Sequence, residues 1–542
     1  MGIQVSPGIL VRERDLSQVV PNLSSTIGAI VGYCPQGNTD DIVLITSSQQ
    51  FIAMYGQPVI GSQINSYFQY SALAFLEKGN ALYCKRVING ALYSGAWIRQ
   101  ATGSGASQGI PTGVAVPEYV AVGGQDICFY VFACNPGAWG SSTSVAITNV
   151  VQLDPITSLP VYTFVIKVYT VDVNDNYTEV EAWTVSRQKK VNGYGQQQYL
   201  EDVINGYSQF IIVKDNVGLA DTILPLATTL NIDLTSGADG SAPTDGQFIA
   251  GWNLFANKDD IQISIMINAA ANDSSVEVQR VMKNIAEERM DCIAVLDVPL
   301  ANLTSVSSIV NWRQSTQAFN TSYACLYAPW VKIYDSYNDV IVNVPPSGYV
   351  ASQIAYNDYV SNPWDAPAGF NRGMLNVLGL TNVFTLGDRN TLYQVQINPL
   401  QTFRGEGNVI WGQKMEKTIP SALDRVNVRR LLITLEKSIA TMLKGFAFEP
   451  NNEITRMRVT TTIEQYLDLL SSRGAFQTEL GDKGYYVLCN ATNNTPAVID
   501  GNELFVDVYI KPVRTAEFIQ LNVIITQTGA SFTELVARGV LF

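Results

Sequence analysis

Among the residue types that carry enzyme chemistry, one is missing altogether: the 542-residue sequence contains no histidine. That excludes Ser-His-Asp and Cys-His catalysis, histidine general bases, histidine-ligated metals and haem, and histidine pH switches. The seven cysteines, Cys34, Cys84, Cys128, Cys134, Cys292, Cys325 and Cys489, form no CxxC pair. Their odd number and scatter point to reduced, buried thiols and not to a zinc knuckle. Gly105-Ala-Ser107-Gln-Gly109 has the spacing of a nucleophile elbow, but lacks the strand before it, the helix after it and a histidine elsewhere. It reads as a flexible loop. Asp172-Val-Asn174-Asp-Asn176 starts like a calcium loop, yet Tyr177 stands where the turn glycine belongs and Trp183 where the closing glutamate belongs. A hairpin turn explains the same residues. No Gly-Lys dipeptide occurs, so there is no Walker A loop. The paired acids Asp259-Asp260 and Glu287-Glu288 are of the type that hydrolyses glycosides, but they fall in a turn and on a helix, as solvated surface residues do. No catalytic residue, cofactor or metal site is expected, and the chain is read as a non-enzyme.

Composition narrows the partners. Hydrophobic residues make up 47% and charged residues 15%, enough apolar material for several cores; the length suggests three to four domains. Lys and Arg number 34 against 47 Asp and Glu, a net charge of -13. Such a balance argues against nucleic acid or an anionic membrane as the main partner. The start, MGIQVSPGILVRERDLS, has no basic region followed by an apolar one, so no signal peptide is expected. The uncharged run Ile127–Leu153 is interrupted by Asn135, Pro136, Gly137 and Gly140, as strands and turns would be. No direct membrane insertion is expected.

The elements that would position any site follow from spacing. Residues 1–20 are short, polar and without helical period, an arm. From Ile27, short apolar runs broken by glycine predict strands, then a helix with Tyr67, Tyr70, Leu73 and Ala74 on one face. A Gly/Ser/Thr/Pro-rich loop follows near 98–117. Strand-like segments then continue to about 213, and LTSGADGSAPTDG at 234–246 closes what reads as an all-β insertion. Residues 261–340 alternate strand, helix, strand, helix, strand, which predicts parallel βαβ units. The last third carries helices at about 425–444 and 455–473, the second with Val459, Ile463, Tyr466, Leu467 and Leu470 on one face and a stop at Gly474. Strands YYVLC, LFVDVYI and FIQLNVIIT complete it. From Asp365 onward basic and acidic residues balance at 17 each, so the acidic excess lies before that point.

Several of these segments, read together, resemble the contractile-tail sheath proteins of myophages, a family related to the sheaths of phage-like bacteriocins and type VI secretion. They are SPGILVRERDLS, GAIVGYCPQGNTDDIVLITSSQQFIAMYGQP, YSALAFLEKGNALYCKRV and LTSGADGSAPT. Later come VPPSGYVASQIAYND with NPWDAPAG, INPLQTFRGEGNVIWGQKM, RVNVRRLLITLEKSI, FAFEPN and KPVRTAEFIQLNVII. Each is weak alone; their common order is specific. The resemblance covers roughly 1–97 and 234–542. One departure is WGQKME at Trp411–Glu416, where family members often read WGARTL, so no role of that arginine carries over.

The resemblance implies a multidomain α+β fold: α/β core domains with mixed sheets, an all-β insertion and terminal exchange arms. We divide the chain into an arm at 1–20, a middle domain of 21–97 plus 234–364, an outer insertion at 98–233, a tube-facing C-terminal domain at 365–516 and a terminal strand or arm at 517–542. It also implies function: a subunit that polymerises helically around a tail tube and contracts to drive the tube through the host envelope. The expected partners are further copies of the chain, the tube protein, and baseplate and tail terminator proteins, in a virion assembled in the host cytoplasm. A headless contractile injection particle is the alternative. A glycan-degrading tail enzyme would need paired acids in a cleft, and a receptor-binding fibre would need repeats that are absent.

Two sets of site residues follow. By resemblance, strands from the termini join a neighbouring copy's sheet; Ile9 and Val11, and the alternating Ile519, Leu521, Val523 and Ile525, are the candidates. On the helix at about 425–444, Val428, Leu431, Leu432, Leu435, Ile439, Met442 and Leu443 gather on one face. Arg430, Lys437 and Lys444 lie roughly opposite, in a stretch from Arg404 to Arg458 with 10 basic and 6 acidic residues. This stripe is the expected tube contact.

Overall fold

The computed structural model describes residues 26–518 apart from 62–63, 103–105, 118–125, 154–159, 173, 192–194 and 480–481. Nine strands form its central sheet: β1 (Gly28–Gly32), β2 (Val43–Ile45), β3 (Leu82–Arg86), β4 (Ile265–Ile267), β5 (Ile293–Asp297), β6 (Ala324–Ala328), β7 (Met374–Leu375), β8 (Ile397–Phe403) and β9 (Gly407–Ile410). Their spatial order is β7-β9-β8-β6-β5-β4-β1-β3-β2. The six strands from β8 to β3 run parallel. Antiparallel β2 closes one side, and β9 and β7 the other.

Strand period two sorts the apolar residues into two cores. Ile30, Ile265, Ile267, Ile293, Val295, Cys325 and Tyr327 face helices α1 (Tyr67–Leu76) and α3 (Ser347–Val360). Ala29, Val31, Met266, Ala294, Leu296 and Leu326 face helix α2 (Val276–Arg289) and the helix Asp245–Asn253. A parallel sheet covered on both faces has strands that are apolar throughout, which is why β1, β5 and β6 are buried at every position. The sequence pattern divides the middle and C-terminal units at 364/365. In the fold, β7, β8 and β9 lie beyond that point and are hydrogen-bonded into the central sheet, β8 directly to β6. This pairing joins strands some seventy residues apart, and local periodicity carries no trace of it.

The segment from 95 to 233 contributes two four-stranded antiparallel sheets. One is ordered Tyr177–Ser186, Pro160–Val171, Thr143–Leu153, Ile232–Asp233; the other Ile211–Asp215, Ile127–Ala133, Gly95–Arg99, Gln108–Gly109. Val131, Ile147, Phe164, Ile166 and Ile211 fill a core shared between them. Gly95–Arg99 straddles the expected start at residue 98, and a short helix, Leu200–Ile204, breaks the all-β reading by burying Leu200 and Ile204 in that core.

Buried polar side chains fix how these parts meet. Arg86, at the end of β3, is 1% exposed, and its guanidinium donates only to backbone carbonyls: Cys34 at 2.7 Å, Gly37 at 2.8 Å, Pro35 at 2.7 Å and Pro136 at 2.9 Å. It thereby ties the loop after β1 to the loop Cys134–Gly137 of the β-rich segment. Asp297, the last residue of β5, accepts from Asn268 Nδ2, Ala270 N, Ser347 N and Ser347 Oγ, pinning the first turn of α3 to the carboxyl ends of β4 and β5. Burial still outweighs these donors and pushes its carboxyl up to about 6. Glu416 lies fully buried 3.7 Å from Arg313 Nε, and desolvation raises its carboxyl to about 7.

Replacing Arg86 by Lys keeps the charge but cannot fill the planar, four-carbonyl cage. The expected loss is about 2–4 kcal/mol, read as a fall of several degrees in the first thermal transition; an unchanged transition contradicts the cage. For Glu416 the sign follows from a folded-state carboxyl raised above its usual 4.5. Its contribution to stability is complete below that value and is lost as pH rises through about 7. Glu416→Gln should therefore melt with a smaller decline between pH 5 and 8 than the parent, and an identical decline contradicts the assignment.

Candidate functional site

Behind the central sheet, α4 (Val426–Leu443) and α5 (Glu453–Ser472) support a two-stranded antiparallel ribbon, Tyr485–Leu488 with Asp507–Ile510. Asn452 caps α5 by accepting from Thr455 N, and Gly474 follows the helix with φ +80°, a conformation that favours glycine. Tyr485, Val487, Val508 and Ile510 turn inward onto Leu431, Leu435, Val459, Ile463, Leu467 and Phe476. Tyr486 and Tyr509 alternate outward, 58% and 57% exposed, with ring centroids 6.1 Å apart. Lys511 N donates to Gly484 O at 2.8 Å, so its N–H points into the ribbon and those of Val508 and Ile510 point away from it. Neither outer edge has a strand partner among the described residues. Beyond the ribbon the chain pairs briefly with Ala475–Gln477 and then reaches Glu517.

The expected apolar face of α4 is buried as its spacing predicts: Val428, Leu431, Leu435 and Met442 are buried, and Leu432, Ile439 and Leu443 pack at the margin. The expected basic stripe opposite it does not form. Val426 and Ile433 enter the central core, so α4 is covered on two sides. Arg430 is 7% exposed and makes a two-pronged ion pair with Asp358 of α3, Nη1 to Oδ1 at 2.6 Å and Nη2 to Oδ2. Lys437 is half-buried, and burial lowers its ammonium against the opposing effect of Asp291. Lys444, just past the helix, is exposed. A helical pattern alone cannot show a partner 72 residues away. Ile9, Val11, Ile519, Leu521, Val523 and Ile525 lie outside the described residues.

Sequence spacing passed over three charged residues that gather at the start of α4: Asp358, Arg425 and Glu517. Asp358 receives the Thr26 hydroxyl as well as Arg430. Glu517 receives Arg425 Nε at 2.7 Å, Arg425 Nη2 at 3.0 Å, Tyr393 OH at 2.9 Å and Gln413 Nε2 at 3.1 Å. Asp358 carried a signal, as the one charge in VPPSGYVASQIAYND; Arg425 and Glu517 sit among other charges in RVNVRRLLITLEKSI and KPVRTAEFIQLNVII, where spacing does not single them out.

Three other residues singled out by their type make local contacts. Ser107 Oγ accepts from Arg99 N, and Asp172 accepts from the Asn174 and Asn176 backbones, closing the hairpin into Tyr177–Ser186. Glu287 pairs with Lys283 at 3.0 Å along α2. Among the described residues, no group of acids and cysteines is placed to hold a metal, and no helix is long and apolar enough to cross a membrane. At the point where strand order reverses, between the carboxyl ends of β1 and β4, a cavity of about 150 Å³ is lined by Tyr33, Tyr67, Phe248 and Ala269–Asp273. It is smaller than the roughly 300–1,000 Å³ of ordinary ligand pockets.

Residues 247–414 match the family described as the phage tail sheath protein central domain, and residues 418–526 match the phage tail sheath C-terminal domain. The chain is 35% identical over 325 residues to the tail sheath protein of Enterobacteria phage T4, covering 57% of this chain and 48% of that one. It is 34% identical over 323 residues to the tail sheath protein of Vibrio phage KVP40, covering 55% and 47%. The chain thus spans about half the length of these curated relatives. In fold it is similar to the sheath of an extracellular contractile injection system in its contracted state (TM-score 0.54, 17% identity, 98% of this chain and 99% of that one). It is likewise similar to the sheath tail protein Lin1278 from Listeria innocua (TM-score 0.56, 12% identity, 90% and 95%). Matched by two adjoining domain families that together span more than half of its residues, and built on the sheath fold, the chain belongs to the phage tail sheath family.

Proposed function

We propose that this chain polymerises helically into a sleeve around a tail tube and, on a signal from the baseplate, shortens and drives the tube through the host envelope. The observation that carries the reading is the C-terminal ribbon, whose two outer edges have no strand partner among the described residues. Two-stranded ribbons are marginal alone, and unpaired edges take up further strands readily. The chain leaves the ribbon directly toward its C-terminal residues, where Ile519, Leu521, Val523 and Ile525 alternate as a strand would. Strands around Ile9 and Val11 of one copy and around Ile519–Ile525 of another fill the two edges. Backbone pairing of this kind survives large rigid-body motion while the linkers bend.

The role is structural and not catalytic. Contraction draws on the difference in subunit contacts between two packings of the sleeve. The partners are further copies, the tube protein, the baseplate and the tail terminator, with no nucleic acid, in a virion assembled in the host cytoplasm. The β-rich segment, with 6 basic and 12 acidic residues between Arg99 and Asp233, faces outward, where acidity discourages lateral clumping. The C-terminal unit faces the tube; of the three cations first considered, Lys444 is the one exposed for that contact. A headless injection particle would use the same fold, but the relatives near 35% identity are phage sheaths, which supports a phage tail.

Purified chain lacking residues 1–18 should stay folded and form no sleeves by electron microscopy. Val508→Pro, which removes an outward ribbon N–H, should have the same effect with circular dichroism unchanged. Normal sleeves from both variants contradict strand exchange at the ribbon.

A further inference from the structure

We infer that the N-terminal end of α4 clips the roots of both chain ends to the body, the N-terminal root by a hydrogen bond to a fixed, buried ion pair and the C-terminal root by a releasable ion pair. The inference rests on the strand-exchange reading, in which these roots are where the arms begin. Arg425, Asn427 and Arg430 fall within six residues, about 8 Å of helix. Arg430 holds Asp358, and Asp358 receives the hydroxyl of Thr26, two residues before β1. Arg425 holds Glu517, and Asn427 Nδ2 donates to Thr515 Oγ1 at 3.2 Å.

The two clips differ in what opening leaves behind. The Arg430 and Asp358 side chains are 8% and 6% exposed and cannot part without stranding two buried charges, so the acceptor for Thr26 stays in place, and the next residue, Ile27, is already hydrogen-bonded to Ser264 N at 2.8 Å. Arg425 and Glu517 are 24% and 17% exposed, and Arg425 already holds a second carboxylate, Asp424, at 3.0 Å. When Glu517 leaves, Arg425 stays paired with Asp424 and Glu517 reaches water; the groups that lose their acceptor are neutral, the Tyr393 hydroxyl and the Gln413 amide. A cavity of about 530 Å³ lined by Pro420, Asp424, Arg425, Arg514 and Glu517 gives the segment room to swing. The sleeve can thus redirect its C-terminal arms during contraction while the N-terminal roots stay put.

The test uses full-length monomer before assembly. Arg514 is exposed between the ribbon and Glu517, and trypsin cleavage after it reports local opening. Arg425→Met should speed that cleavage at least tenfold and leave the first thermal transition within about a degree of the parent. In 1 M salt the parent should move only part of the way toward the variant, because a pair 24% and 17% exposed is screened less than a surface pair. Asp358→Asn should lower the thermal transition instead. Cleavage unchanged in Arg425→Met, or a thermal loss equal to that of Asp358→Asn, overturns the releasable clip. Because the readout precedes assembly, a chain that forms no sleeves yet shows this cleavage pattern overturns the proposed function and not the clip.

Discussion

Every backbone N–H and C=O buried by folding needs a partner, and this requirement organises the chain from its central sheet outward. Six parallel strands pair on both sides and bury both faces. The sheet then ends in β2, three residues long, and β7, two residues long. Edges that short offer little to an incoming strand. In the β-rich segment the long outer strand Tyr177–Ser186 carries Glu179 and Glu181, charges that blunt an edge. Longer edges also stay unpaired among the described residues, including the outer strand Val340–Val344 of a small three-stranded sheet and the C-terminal ribbon. The ribbon has four-residue strands, outward tyrosines and no third strand among the described residues.

A subunit that transmits force must keep its body intact while its connections move, and the buried charges divide along that line. Arg86 spends its guanidinium on four carbonyls and locks the β-rich segment to the sheet. Asp297 pins α3, and Asp358 with Arg430 locks α3 to α4. These groups are buried, and removing either partner of such a contact is costly. The contacts at the C-terminal root are partly wet and shared between two carboxylates. Stiffness is concentrated within the body, and freedom where the chain leaves it.

Local chemistry was readable in the sequence, and long-range pairing was not. The spacing of Val459, Ile463, Tyr466, Leu467 and Leu470 marks α5 within two residues of its ends, because one helix face meets one core. The hairpin at Asp172–Asn176 is equally local. The placement of β7, β8 and β9 depends on β6, far back in the chain, and so escapes any windowed pattern. Arg430 failed as a surface cation for the same reason: its spacing fits an outer face, and Asp358 turns that face inward. The ordered blocks of family resemblance reached further than periodicity, since they contain Asp358, Arg425 and Glu517 without revealing that these meet.

The central claim is that the ribbon's open edges are completed by other copies of the chain. Cryo-electron microscopy of sleeves assembled from the purified chain measures this directly. The account predicts a sheet of four strands at each Tyr485–Leu488/Asp507–Ile510 ribbon, the two added strands traced to neighbouring copies. A sleeve in which both ribbon edges still face solvent, with copies joined only by side-chain contacts, contradicts it.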